Sequence, residues 1–411
     1  MKDSELKYEY ANQSKKIKDM VSNLLEDGNG ILRIKPSLVA RSGFKSGKNL
    51  GLKENEYDKG KRGEITERWI CSTTKADNII GPEDEGLSCI HSDSGLSITL
   101  KEAIDYAKEL IIGRDYSLKH ANLGMLVKIL DYSDRITYHY HQMEKDASLV
   151  GKNSKEEAYY FPEDAFLGKH PETFFGVHPY IAEKDNHGII LQHLIDWNSD
   201  LILKHSRAYI QARDDGFHLP AGIPHAPGSA LTIEIQECSD IYGNLQALYM
   251  GKVMPKETLF CNIRKEDREI LGEKAIINQI DWVKSGDPFF YENRHTPPIL
   301  IEESKQVEGE EYWIFYNTKK FSGKKLVIHP NSSYISKDKG VYSILVWKGK
   351  GKFDSLAIEA RNFNYDELLV SYDKAIKPIK IENSSNSDLQ IFKFYGPDIN
   401  ADVPMLPVYG M

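Results

Sequence analysis

His139 and His141 stand one residue apart in the run "RITYHYH", which is rich in residues that favour extended backbone. In a strand, residues two apart project from the same face, so the two imidazoles can offer a pair of nitrogens to one electron-pair acceptor. Most such pairs are solvated strand faces, and this one gains meaning only from residues further along the chain. Glu157 lies in "NSKEEAYYF", after a loop long enough for an antiparallel hairpin, where its carboxylate can face the same interior. His225 ends the turn "PAGIPH", in which Pro220, Gly222 and Pro224 stiffen the backbone. An imidazole held this way has little ordering entropy left to lose on binding. Taken singly, His225 could equally cap a turn in a core. In this order, His139, His141, Glu157 and His225 are expected as a donor set for one divalent metal ion, and imidazole ligation alone does not choose among zinc, manganese and iron.

The rest of the chain has to position these four residues. Its 411 residues leave room for two or three domains. Asp plus Glu number 61 against 53 Lys plus Arg, a formal charge of -8, which speaks against nucleic acid or a membrane surface as partner. Cys71, Cys89, Cys238 and Cys261 form no Cys-x-x-Cys pair, which argues against a zinc ribbon or a disulfide framework and suits a reducing compartment. The polar start "MKDSELKYEY" lacks the apolar stretch of a signal peptide, and no run approaches the ~20 apolar residues of a spanning helix. A cytoplasmic protein with a small-molecule substrate is the expectation.

Helices are predicted over 5–26, ending at Asp27-Gly28-Asn29-Gly30, and over 99–112, capped by Thr99 and stopped by Gly113. Up to about residue 250 most of the remainder reads as short strands, "DLILKHSRAYIQA" and "ALTIEIQE" among them. A helical stretch, 251–298, is centred on "KEDREILGEKAIINQIDWVKSG", and strands return beyond Pro297-Pro298. The fold class is therefore mainly β, of barrels or sandwiches with inserted helices. The chain divides into three segments: 1–250 with the candidate ligands, 251–298 as a helical connection, and 299–411 as a second β-unit. After residue 300 only His329 remains, so the second unit is expected to hold no metal. No Gly-rich phosphate loop is present.

The ligand order resembles the cupin barrel and, more closely, type I mannose-6-phosphate isomerases. In that family a Gln-x-His pair, a Glu two residues after a Lys, and a His after a P-x-G turn bind zinc. Here His139 stands in place of the Gln, Lys155-Glu156-Glu157 matches the second element, and His225 ends the third. "LTIEIQECSD" is similar to the family's next strand, with Glu234 at the acid position and Ser239-Asp240 at a Ser-Asp pair. Thr137 falls where the family has a serine lining the sugar-phosphate pocket. One departure stands out: Asn244 occupies the place of an active-site arginine, and an amide cannot replace a charged planar fork.

The resemblance implies two cupin-type barrels (a bicupin) and an aldose–ketose isomerase that interconverts mannose 6-phosphate and fructose 6-phosphate through an enediolate. It implies Lys155 and Glu234 as catalytic residues, with Thr137, Lys155 and Asn244 facing the substrate. Because of Asn244, an isomerase of free sugars of the lyxose or mannose type is the alternative. Three histidines and a glutamate also resemble iron or manganese cupin oxygenases, and a non-catalytic sugar-binding cupin is a further reading. A proton shuttle built from Lys155 and Glu234 favours the isomerase.

Overall fold

The strands that carry the candidate ligands belong to two different sheets. The computed structural model describes residues 3–91 and 97–410, with side chains from Ser14 onward. One sheet has five strands, in spatial order Arg207–Ile210, Glu172–Phe175, His225–Ala226, His139–Tyr140 and Gly243–Asn244. The other has six: Asp215–Leu219, Glu157–Phe161, Thr232–Gln236, Leu126–Leu130, Glu64–Ile70 and Ser37–Arg41. The chain is mainly β, as its short strands and frequent turns predict.

The pleat gives the six-stranded sheet two unlike faces. Glu234 pairs in register with Lys128 on one side and Tyr159 on the other, and Lys128 pairs with Trp69. Residues directly opposite share a face, so these side chains, with Glu157 and Glu67, look the same way. The alternate residues Ala158, Tyr160, Ile233, Ile235, Val127 and Ile129 face the other way, into the largest apolar core. There the Tyr160 ring packs 5.6 Å from Phe392 of the C-terminal segment.

That core is common to both halves of the chain. A nine-stranded sheet contains six strands from Ile299 onward, Glu367–Val370 among them, together with Ile31–Lys35, Cys89–Ile90 and Ile98–Thr99. Ile31, Leu32 and Arg33 pair antiparallel with Val370, Leu369 and Leu368. Three short strands from the 1–250 segment thus hydrogen-bond into the sheet of the 299–411 segment. A four-stranded sheet of Ser333–Ser336, Ile379–Asn383, Lys350–Phe353 and Leu356–Glu359 completes the C-terminal part.

Helices match the sequence signals in part. Leu100–Ile112 carries the Thr99 cap, whose side chain accepts from the Glu102 amide, and ends at Gly113 with φ 82°. The connecting segment is broken into short helices, Lys265–Leu271, Lys274–Ile277 and Trp282–Ser285 among them. Two expectations are corrected. His187–Asp196, within the region read as strands, is a helix. "DLILKHSRAYIQA" is not one strand: Leu201–His205 is a 3-10 helix, and only Arg207–Ile210 is extended. Among the described residues no helix is long and apolar enough to cross a membrane, and all four cysteines are free.

Candidate metal centre

His225 is paired in register with His139 on the neighbouring strand, which sets their rings 4.2 Å apart. His141, just past the end of the His139 strand, brings its ring to 5.0 Å from each. One ring nitrogen from each of the three lies within 4.8 Å of the others, and all three side chains are buried. The two parts of the sequence signal, the pair and the turn histidine, therefore meet in one place.

The backbone fixes which nitrogen faces inward. Nδ1 of His139 lies 2.6 Å from the Thr137 carbonyl, Nδ1 of His141 2.7 Å from the Ile241 carbonyl, and Nδ1 of His225 2.9 Å from the Ile223 carbonyl. A carbonyl only accepts, so each Nδ1 carries the proton and each Nε2 presents a lone pair. Burial, then the neighbouring His225 and His141, hold His139 well below its ordinary pKa. Burial and Lys155 bring His141 down to about 3. These two imidazoles are neutral, the form that ligates.

Glu157 completes the set from the opposite sheet. Its carboxylate oxygens stand 3.1 Å from His141 Nε2 and 3.0 Å from His225 Nε2. Both of those nitrogens and Glu157 Oε2 are buried without an aligned hydrogen bond. Lone pairs facing a carboxylate at such distances repel one another unless a cation lies among them. The donor set thus fits one divalent metal ion, with imidazole and carboxylate ligation that suits zinc. Tyr159, which the sequence reading did not single out, donates its hydroxyl to Glu157 Oε1.

Lys155 and Glu234 lie beside this group. Lys155 Nζ is 2.9 Å from Glu157 Oε2 and 3.5 Å from Glu234 Oε1. Burial pulls the Lys155 pKa down, yet Glu157, Glu234 and Asp240 outweigh it and raise the group above its ordinary value, so the ammonium is charged. Burial raises Glu234, against the pull of Lys155, and its Oε1 has no hydrogen-bond partner. This carboxylate can take up a proton.

Behind it lies a charged layer of which the sequence reading singled out only Asp240. Arg41 contacts Glu67 at 2.8 Å and Asp240 at 2.9 Å, and Lys128 contacts Asp240 at 3.1 Å and Glu234 at 3.7 Å. A signal existed in "LVKIL", where Lys128 is the lone charge in an apolar strand and so has to face a polar interior. Thr137 contributes its backbone carbonyl, as above, and is buried. Asn244 lies in register beside His139, but its amide donates to the Gln246 carbonyl and the Thr258 hydroxyl while its Oδ1 accepts from the Gln246 amide. His218 is held by Glu156 at 2.9 Å on the other face of the sheet, away from the centre.

No protein-family model and no curated protein matches the chain. Solved structures do. Mannose 6-phosphate isomerase from Bacillus subtilis superposes with a TM-score of 0.62 at 15% identity, over 89% of this chain and 99% of that one. A single-site variant of phosphomannose isomerase from Salmonella typhimurium gives 0.62 at 10% identity, over 90% and 100%. A zinc-bound mannose 6-phosphate isomerase gives 0.58 at 11% identity, again over 90% and 100%. At such identities the likeness is one of fold, and it runs nearly the full length of both chains: this protein has the fold of the phosphomannose isomerases.

Proposed function

We propose that the protein is a metal-dependent aldose–ketose isomerase acting through an enediolate, with His139, His141, Glu157 and His225 holding one zinc ion. The observation that carries this reading is the convergence of three buried imidazoles and a carboxylate beside an unpartnered carboxyl, Glu234, and a charged amine, Lys155. The bound metal supplies Lewis acidity toward the carbonyl and hydroxyl oxygens of the sugar.

The chain's own groups do the rest. Moving the carbonyl between C1 and C2 requires a proton to leave one carbon and return to its neighbour. Glu234, buried and with a raised pKa, is the group that takes it and gives it back. Lys155 bridges Glu157 and Glu234, where its ammonium can donate to a substrate oxygen as negative charge builds there. The backbone carbonyls of Thr137, Ile223 and Ile241 keep the imidazoles in one tautomer and one orientation. Mannose 6-phosphate, which appears in the names of the structural neighbours, fits this chemistry with fructose 6-phosphate as its ketose, the pair the ligand order's resemblance implies, as do free sugars of the mannose or lyxose type.

Metal analysis of the purified protein, then incubation with these sugars in deuterated water, tests the reading. One equivalent of zinc and deuterium at C2 of the recovered aldose are expected. Oxygen consumption with bound iron, and no sugar conversion, would replace the isomerase with an oxygenase.

A further inference from the structure

We propose a second binding site, for a neutral saccharide, in the cleft where the residues after the Glu157–Phe161 strand meet the C-terminal part. The cleft has a volume of about 510 Å³ and is lined by Glu163, Asp164, Trp347, Lys348, Arg361 and Asp388, among others. Small-molecule sites occupy roughly 300–1,000 Å³. The cleft shares no residue with the metal centre, so this site stands independently of the isomerase reading.

Two local departures from regular backbone shape the cleft. Strand Tyr342–Lys348 pairs with Leu389–Tyr395, but Val346 lies opposite Ile391 and Lys348 opposite Gln390. Trp347 is therefore the extra residue of a β-bulge, a device that re-aims a side chain out of the ladder. Its indole Nε1 donates to Asp164 Oδ1 at 2.7 Å, and its ring packs 5.5 Å from that of Phe392, so the aromatic plate is held in place. Arg361 has φ 59°, a left-handed conformation that is uncommon for such a side chain. Unusual backbone of this kind collects at ligand sites.

The polar groups of the cleft are available to a ligand. Lys348 stands 3.6 Å from Glu163, Arg361 3.5 Å from Asp164, and His329 3.7 Å from Asp388. Exposed ion pairs at such distances contribute little and leave their hydrogen-bonding capacity free. The Arg361 side chain is 78% exposed. Charge also selects the ligand. Glu163, Asp164 and Asp388 are balanced by Lys348, Arg361 and Lys325, which holds Glu163 at 2.8 Å. A lining without net charge suits a neutral partner. Donors and acceptors are interleaved beside one indole ring. A sugar matches this pattern, because each hydroxyl both donates and accepts while the C–H face of the ring packs on an aromatic surface.

The test titrates the full-length, zinc-loaded protein with methyl α-mannoside and methyl α-glucoside, followed by calorimetry and saturation-transfer NMR. These glycosides have no free anomeric hydroxyl, so neither can be isomerised. Saturable binding with a Kd on the order of 1 mM is expected. Trp347→Ala and Arg361→Ala should each weaken it by about fivefold or more while holding the metal as the parent does. Because Arg361 is exposed, its variant reads the site even where Trp347→Ala disturbs the packing against Phe392. Trp347→Phe keeps an aromatic plate and should retain most of the affinity. Absence of saturable binding by either glycoside would overturn the proposal. So would an affinity untouched by both alanine substitutions, which would put the sugar elsewhere on the protein.

Discussion

Glu157 and Tyr159 sit two residues apart on one strand, and the Tyr159 hydroxyl donates its hydrogen bond to the Glu157 carboxylate. Tyr159 is 1% exposed, so this bond is made in a dry setting. It orients the carboxylate without competing for the oxygen that faces His141. Tyr159→Phe keeps the ring and removes the hydroxyl. Such outer partners typically contribute a factor of about 10–100 in metal affinity, and that loss is expected here, read by competition with a chelating dye. Unchanged affinity would show that Glu157 needs no help in its orientation.

The imidazoles themselves are expected to be less forgiving. His141→Ala and His225→Ala each delete a donor whose Nε2 has no other partner. Both variants should lose the metal on dialysis while keeping the β-rich circular dichroism of the parent, because the main core lies on the other face of the six-stranded sheet. If both single variants retained a full equivalent, the centre would have to be sought elsewhere.

Lys155 and Glu234 should separate metal binding from turnover. Neither is counted among the ligands, yet the Lys155 amine lies within 4 Å of both carboxylates. Glu234→Gln removes the proton acceptor, and a loss of about 10²–10⁴ in kcat is expected with metal content retained. Lys155→Ala should lower kcat comparably, and it also leaves Glu157 without its counter-charge. A Glu234→Gln enzyme with full deuterium exchange at C2 would exclude this residue as the base.

Much of the centre was legible because its chemistry is local in sequence. A His-x-His pair, Lys155 and Glu157 around a strand start, and a proline-locked turn each announce themselves within a few residues. What was not legible is non-local. Arg41, Glu67 and Lys128 come from three separate strands and meet Asp240, in a loop, only through strand pairing. In the same way Lys393, Lys324, Glu311 and Asp338 form a buried network in the C-terminal part, with Lys393 Nζ 3.0 Å from Asp338. The helix His187–Asp196 escaped because "HGIILQHLID" has apolar residues on several faces, and its isoleucines mimic a strand. The pairing of Ile31–Lys35 with Glu367–Val370 is a contact across most of the chain, which no local pattern encodes.

That pairing has a consequence for truncation. A chain ending near residue 295 retains every candidate ligand but loses the strand partner of Ile31–Lys35. It also uncovers Tyr160, Ile233 and Ile235, which pack in one core with Phe392 and Phe394. An exposed sheet edge and a large apolar face are the conditions for aggregation. The truncated protein is expected in the insoluble fraction, and recovery of a soluble, metal-binding monomer would contradict a shared core.

Acid should unfold the protein through its buried carboxylates. Burial alone would raise Glu67, but Arg41 and Lys128 hold it down at about 2. Burial likewise works against Asp338, while Lys393, Lys324 and the Tyr395 hydroxyl hold its carboxyl below the usual range. For a carboxylate depressed in the folded state, the unfolded chain binds the proton first as pH falls. Stability is therefore complete above about pH 4.5 and declines toward about pH 2, by up to about 1.4 kcal/mol per pH unit for each group. Asp338 lies in the C-terminal part, so its contribution can be separated from that of metal loss. Asp338→Asn leaves the two lysines short of a partner and should cost about 3–5 kcal/mol at neutral pH. Its acid limb, measured by denaturant titration at a series of pH values, should be shallower than that of the parent by about one proton. Parallel limbs for the two proteins would mean that Asp338 is not held ionised by Lys393 and Lys324.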